Sequence, residues 1–427
     1  MNKRAVTKEQ ILDYHAQFPA GKIGTCVTKS LHTPRDIITA YTPGVGIICE
    51  EIAACGDRIY QYTNKGNLVG VLSNGTAVLG YGHMGPLAAK PIMEAKAMIL
   101  KRFAGVDAFD LEIDATSPEE VIQVIKALAP TFGAINLEDI KAPECFQIEA
   151  SLIDQLDIPI MHDDQHATAI VVAAALLNGL LIANKDITEV QIVFSGAGAS
   201  AIATAKLLIA LGANPAQIVM CDRQGVIRQD RDTLHPIKAP FATDRPMHTL
   251  HDAVIGADVF IGLSSGNILM SQSIERMAKD PIIFGLANPL QEISYRDAMA
   301  TRPDVIFATG RSDFPNQVNN LIAFPYIFRG ALDVGASAIN GVMQQAAVQA
   351  IQKLAQEEVP VGIRKYYGET IHFGKEYILP KPMDTRLLST VSIAVARAAM
   401  DSGIARNPIH DWNAYAVQLL KRVNHQN

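Results

Sequence analysis

Two acidic pairs, Glu138-Asp139 in INLEDI and Asp163-Asp164 in PIMHDDQHATA, each close a short apolar run that reads as a strand. A glycine-rich turn, Gly196-Ala197-Gly198-Ala199-Ser200-Ala201, follows another such run, VQIVF. Clustered carboxylates are the hard oxygen donors that Mg2+ or Mn2+ prefers. Small residues opening a helix leave free N–H groups and the positive end of the dipole to a pyrophosphate. Together they point to metal-assisted chemistry coupled to hydride transfer. Neighbouring side chains on a strand face opposite ways, so Glu138 and Asp139 can both bind one cation only where the strand ends. A lone acidic pair is as readily a helix cap or a solvated turn. Two pairs, each ending an apolar strand, favour a shared cation.

Two segments fit a dinucleotide fingerprint. Gly80-Tyr81-Gly82-His83-Met84-Gly85 is the literal G-x-G-x-x-G, and the turn at Gly196 is the variant ending in Ala201. Context separates them. The Gly196 turn lies between a strand and an alanine-rich helix, and Asp222 closes the next strand, where it can hydrogen-bond an adenosine ribose. The Gly80 segment runs into Pro86 and reads as a tight strand-to-helix connection, with lining of the substrate site by its backbone as the alternative. Asp222 would repel a 2′-phosphate and Arg223 could pair with one, so NAD with dual use is the expectation.

The acid–base candidates are Lys96 in EAKAM and Tyr41 before TPGVG. Apolar neighbours suggest a partly buried Lys96 whose pKa falls toward neutral, the state in which it can take a hydroxyl proton; a surface lysine is the plainer reading. Tyr41 is as readily a packing residue. His83, His162 and His166 are assigned no catalytic role. Asn288 in LANP and Asn319 in PNQVNN follow strand-like runs, where an amide binds a substrate carboxylate or nicotinamide or simply forms a turn.

These residues need a scaffold that puts strand ends together. Expected helices cover 91–103, 118–128, 167–183 and 199–211. Expected strands cover 133–137, 158–162, 190–194, 217–221, 258–262, 282–286 and 305–308, with a hairpin over 67–79 around SNG. Alternating strands and helices mean βαβ units and a parallel sheet. The fold class is therefore α/β: an N-terminal α/β catalytic domain (1–165), a Rossmann-type doubly wound NAD(P)-binding domain (166–395) and a helical C-terminal segment (396–427). With 427 residues, about half of them apolar, and a net charge of −6, the chain has no basic footprint for nucleic acid. Its longest apolar run, 169–183, is too short for a bilayer and reads as a buried helix. Five cysteines without a C-x-x-C pair suit a reducing cytoplasm.

Taken in order, AYTPGV, GYGHMGP, EAKAM, NLEDI, HDDQHATA, FSGAGA, LANP, FPNQVNNLIAFPYIFRGALD and ILPKPMD resemble the malic enzyme family in its shorter bacterial form. The resemblance spans nearly the whole chain. It implies oxidative decarboxylation of malate to pyruvate and CO2 with NAD or NADP and a divalent cation, and decarboxylation of oxaloacetate alongside. It implies Lys96 as the base for the C2 hydroxyl and Tyr41 as the acid. Glu138, Asp139 and Asp164 become the metal ligands, Asp163 their support, and Asn288 and Asn319 the substrate or nicotinamide contacts. A homodimer or larger assembly of dimers is implied too. No room remains for the phosphotransacetylase-like domain that some longer members append. Gly46 and Ala167 depart from the family pattern, and the Ala167 methyl could shift the start of its helix. Two rivals remain at this level: a dehydrogenase for another β-carboxylated hydroxy acid, and a silent nucleotide-binding protein.

Overall fold

The computed structural model describes residues 6–78, 80–368 and 370–424. The chain begins with four helices, α1 (Lys8–Ala16), α2 (Pro34–Ala40), α3 (Gly44–Ala54) and α4 (Ile59–Tyr62), none of which has a buried residue. Thr7 and Thr33 close capping boxes at the starts of α1 and α2, so local hydrogen bonds hold them where packing does not. Lys22 Nζ reaches the Pro91 carbonyl at 2.9 Å and ties this segment to the body.

The first sheet is built from β1 (Leu68–Ser73), α5 (Pro86–Ala104), β2 (Asp107–Glu112), α6 (Pro118–Leu128), β3 (Ala134–Leu137), α7 (Glu144–Gln155) and β4 (Ile160–His162). Its order is β2-β1-β3-β4, and every pairing is parallel. The expected hairpin does not form, although Leu79 lies outside the described residues. Both edges of β1 are taken by β2 and β3, so a returning strand has no edge to join. The chain instead folds back at Gly75 (φ 66°), whose carbonyl accepts N–H groups of Met84 and Gly85. Strand β2, which the sequence pattern does not mark, is a partly exposed edge whose DAFDLE run lacks regular alternation.

Next comes α8 (Asp163–Ala183), in which fourteen of 21 residues are buried. It therefore has no continuous solvent face and its apolar run is a core element. Asn178 interrupts that run with its amide satisfied by the carbonyls of Ile378 and Gln352. The helix starts four residues before the expected 167, at Asp163, with Ala167 fully buried inside it. The second sheet comprises β5 (Ile192–Ser195), α9 (Ala199–Ala210), β6 (Ile218–Asp222), β7 (Gly225–Val226), α10 (Leu250–Val254), β8 (Val259–Gly262), α11 (Ser271–Glu275), β9 (Ile282–Gly285), α12 (Tyr295–Thr301) and β10 (Ile306–Thr309). Its order is β10-β9-β8-β5-β6-β7, with only β7 antiparallel. After β5 the chain crosses to β6 on one side and β8 on the other. That switch point opens the crevice in which doubly wound sheets bind ligands.

Five helices complete the chain: α13 (Phe324–Asp333), α14 (Gly341–Gln356), α15 (Val361–Tyr367), α16 (Arg386–Asp401) and α17 (Trp412–Asn424). Helices α14 and α8 pack together, and α13 and α17 lie on α5. One apolar core thus runs from Val69 and Met93 through α8 to Leu354 and Leu419. The two sheets share it, and their C-terminal edges are fixed relative to each other.

A buried ammonium sets the height of β3. Lys65, 8% exposed, donates to the carbonyls of Ala129 and Pro130 at 3.0 and 2.9 Å and to that of Phe132, at the turn entering β3. Lys65→Met keeps the bulk and orphans three carbonyls. Urea unfolding should show a loss of about 2 kcal/mol; an unchanged midpoint would mean that the turn holds itself.

Candidate active site

Strands β3 and β4 end side by side, and the chain changes conformation at once. Asp139 adopts φ 54°, a left-handed state that a short polar side chain tolerates. The break turns Glu138 and Asp139 toward the same space. Asp163 and Asp164 form the first turn of α8, next to its N-cap His162. Oxygens of Glu138, Asp139 and Asp164 lie within 4.8 Å of one another. The Asp139 N–H donates to Asp164 Oδ2 at 2.8 Å, fixing one carboxylate against the backbone of the next.

Asp163 turns the other way. It is fully buried, and its Oδ2 accepts from both Lys96 Nζ and Asn320 Nδ2. Lys96, on α5, also lies 3.0 Å from Glu138 Oε1 and 4.6 Å from the centroid of the Phe324 ring. It is 8% exposed, so it is not a surface lysine. Burial alone would lower its pKa, but the charges of Asp163 and Glu138 outweigh that and hold the ammonium above its ordinary value. The expected fall toward neutral is thus corrected: in this arrangement Lys96 stays protonated. Burial pushes the carboxyls of Glu138 and Asp163 up, with Lys96 opposing it.

Beneath the cluster, Glu149 of α7 accepts from the His162 N–H at 2.7 Å, from Gln165 Nε2 at 3.0 Å and from the His166 ring at 2.9 Å. Its carboxylate fixes the junction of β4 and α8. Nothing in FQIEA distinguishes it from an ordinary helix glutamate. Asn320 was also missed; in VNN it is indistinguishable from Asn319, whose own Oδ1 caps the Leu321 N–H.

The glycine turn meets this cluster directly. Gly196 has φ 116°, and a Cβ there would lie 2.5 Å from the Leu263 carbonyl. Gly198, by contrast, faces open space at the start of α9, where a ligand can approach the backbone. Ser200 Oγ donates to the Asp164 carbonyl at 2.7 Å, joining the nucleotide turn to the acidic segment. A cavity of about 550 Å³ is lined by Lys96, Glu138, Asp139 and Asp164 together with Gly198, Ala199 and Ser200. Asn288 and Asn319 line it too, and so does Gly80, the alternative reading of the first glycine segment. A second cavity of about 1370 Å³ continues along Gly196–Gly198 to Asp222 and Arg223. Both cavities share Gly198, Leu263 and Ser264, so they form one cleft. Ala201 is fully buried and serves helix–strand packing.

Asp222 is not free to meet a ribose. Arg231 donates to both its oxygens at 3.0 Å, and Lys238 lies at 2.8 Å. Burial opposes ionisation, but those hydrogen bonds bring the carboxyl down to about 2. Tyr41 lies elsewhere: it is 68% exposed at the end of α2 and is not among the residues lining the cleft. A Cβ on Gly46 would meet nothing within 4 Å, so an alanine there is sterically neutral.

Residues 20–153 match the family described as malic enzyme, N-terminal domain, and residues 165–366 match malic enzyme, NAD binding domain. The chain is 52% identical over 402 residues to an NADP-dependent malic enzyme of Halomonas elongata, covering 94% of this chain and 95% of that one. It is 51% identical over 413 residues to an NAD-dependent malic enzyme of Rhizobium meliloti, covering 96% of this chain but 54% of that protein, about half its length. A solved malic enzyme from Pyrococcus horikoshii superposes with a TM-score of 0.89 at 38% identity, covering 97% of this chain and 95% of that one.

If Glu138, Asp139 and Asp164 hold a cation, Asp164→Asn should weaken Mn2+ binding more than about tenfold. The free-ion electron paramagnetic resonance signal measures this without turnover. An unchanged titration would place the cation elsewhere.

Proposed function

The chain belongs to the malic enzyme family, and from that premise we propose how its cleft carries out the oxidative decarboxylation of malate with NAD(P). The observation that carries the proposal is the contact of Lys96 with Glu138 and Asp163, beside the three-carboxylate cluster and the Gly198 turn. Three carboxylates at one point need a hard cation to balance them, so the donor set fits Mg2+ or Mn2+. When bound by Glu138, Asp139 and Asp164, such a cation supplies Lewis acidity toward the C2 oxygen and a carboxylate of malate.

The remaining work falls to the side chains. Lys96 Nζ accepts the C2 hydroxyl proton as hydride leaves for the nicotinamide. To do so it first releases its own proton, and Asp163, whose carboxyl is pushed up by burial, is placed to take it. Asn320 holds Asp163 in position for that exchange. Asn288 and Asn319, which line the same cavity, orient the substrate carboxylate or the carboxamide. The β-carboxyl then leaves as CO2, and C3 takes a proton. The same arrangement serves decarboxylation of oxaloacetate.

Tyr41 is our candidate for the acid at C3, and it requires a partner. The exposed side chains of Ile37, Ile38, Tyr41 and Ile47 present an apolar face on α2 and α3. We infer that a second copy of the chain covers this face, giving a homodimer in which Tyr41 of one protomer serves the cleft of the other. The division into catalytic (1–165), nucleotide-binding (166–395) and C-terminal segments, and a cytoplasmic location, remain parts of the same proposal.

The loop around Asp222 favours NADP over the NAD expected from Asp222 alone. With Asp222 neutralised by Arg231 and Lys238, and Arg223 beside it, the adenosine end of the cleft presents cations to a 2′-phosphate.

Absorbance of NADPH formed from malate and Mn2+ tests the activity; a folded protein silent with both nucleotides would sink it. Lys238→Ala should cut kcat/KM for NADP about ten- to a hundredfold, with a smaller effect on NAD. Equal losses would assign Lys238 to folding alone. Mixing inactive Tyr41→Phe with inactive Lys96→Ala should restore roughly a quarter of wild-type activity, because half the dimers then hold one complete site. No recovery after subunit exchange would place Tyr41 in its own protomer's cleft or outside the chemistry.

A further inference from the structure

Glu292 is fully buried, and its carboxylate faces backbone. Oε1 accepts the Ser264 N–H and Oε2 the Ala287 N–H, each at 3.1 Å. Those donors belong to two different loops. Ser264 follows β8 and Ala287 follows β9, neighbouring parallel strands that end in register at Gly262 and Gly285. The carboxyl sits over the first of these glycines: a Cβ on Gly262 would lie 2.3 Å from Glu292 Cδ. The main chain adds to the clip, since the Asn267 N–H donates to the Gln291 carbonyl and the Leu269 N–H to that of Glu292, both at 2.9 Å. Burial pushes the carboxyl up, and the two N–H donors pull it back. Burying an acid to hold two loop amides costs desolvation that an apolar residue would avoid.

The loops it holds are those that form the cleft. Leu263 and Ser264 line both the carboxylate cavity and the nucleotide cavity, at the waist between them. Leu286, Ala287 and Asn288 line the carboxylate cavity and not the other. The waist also abuts the glycine turn. The Leu263 carbonyl stands 2.5 Å from the Cβ position of Gly196, and Ser264 Oγ lies 2.9 Å from Ser195 Oγ at the end of β5. A dinucleotide with its adenosine by Asp222 and its pyrophosphate at Gly198 must bring its nicotinamide past this waist to reach a substrate beside Lys96. Glu292 lines neither cavity itself, so whatever it does there it does through the two loops.

We propose that Glu292 is a positioning residue for hydride transfer: by fixing the Ser264 loop against the Ala287–Asn288 loop, it sets where the nicotinamide ring lies relative to C2 of malate. This rests on the malate reading given above.

Two variants of the full-length chain test it. Glu292→Gln is isosteric but replaces one acceptor oxygen with an amide NH2 that faces a backbone N–H. Gly262→Ala keeps the carboxylate and displaces it. Both should lower kcat for malate with NADP about ten- to a hundredfold, the scale on which a misplacement of about 1 Å acts. Decarboxylation of oxaloacetate with Mn2+ needs no hydride transfer and should stay at the wild-type level. Calorimetric binding of 2′,5′-ADP, which fills only the adenosine end, should stay there too. A purely structural role would lower all three together. An unchanged kcat in both variants, or a fall matched by oxaloacetate decarboxylation or by 2′,5′-ADP affinity, would overturn the proposal while leaving the malate reading in place. A wild type that binds 2′,5′-ADP but never turns over malate would overturn that reading, and this proposal with it.

Discussion

A single buried carboxylate, that of Asp163, ties the catalytic region together. It has no access to water and accepts from Lys96 on α5 and from Asn320 on the loop before α13. Those elements come from far-separated parts of the chain, and only a closed fold brings them to one oxygen. Because Asp163 turns inward, Asp164 is left to join Glu138 and Asp139 on the open side. The same constraint gives Lys96 its charge. A buried ammonium needs partners that offset its lost hydration, and here two carboxylates stand within contact.

Helix α8 is the second structural commitment. It starts with the two aspartates, and its remaining turns are packed between the sheets and α14. The acidic residues are thereby anchored to a helix that is mostly buried in the core. Glu149 reinforces the anchor from below, holding the backbone at the junction where strand becomes helix. The hydroxyl of Ser200 reaches the same turn from the nucleotide side. The carboxylate cluster and the glycine turn therefore meet at one short stretch of backbone.

Much of this was legible in the residues. Helix 118–128 coincides with α6, and the parallel order was implied by strands alternating with helices. Grouping Glu138 with Asp139 needed only the rule that two neighbours face one point where a strand ends, and the left-handed Asp139 is how the chain achieves it; choosing Asp164 over Asp163 rested on the family resemblance. Other features depend on contacts between distant residues and carry no local signal. SNG reads as a hairpin turn, but tertiary pairing had already claimed both edges of β1. The charge of Lys96 depends on Asp163 and Glu138, neither of which adjoins it in sequence. Tyr41 could be named from its motif, yet its place could not, because α2 has no buried contact to locate it.

The neutralisation of Asp222 has an evolutionary consequence. The acid belongs to a sheet strand, but the cations that cancel it, Arg231 and Lys238, come from the irregular stretch beyond β7. Within that stretch Ile227 and Phe241 are buried in the main core, while Arg231 and Lys238 lie between them and can change without altering those packing residues. Nucleotide preference can then drift on a lineage while the strand-end acid and the glycine turn stay the same. Relatives of NADP-dependent and NAD-dependent description stand at nearly the same distance from this chain, 52% and 51% identity. Overall similarity therefore does not separate the two nucleotides for this chain.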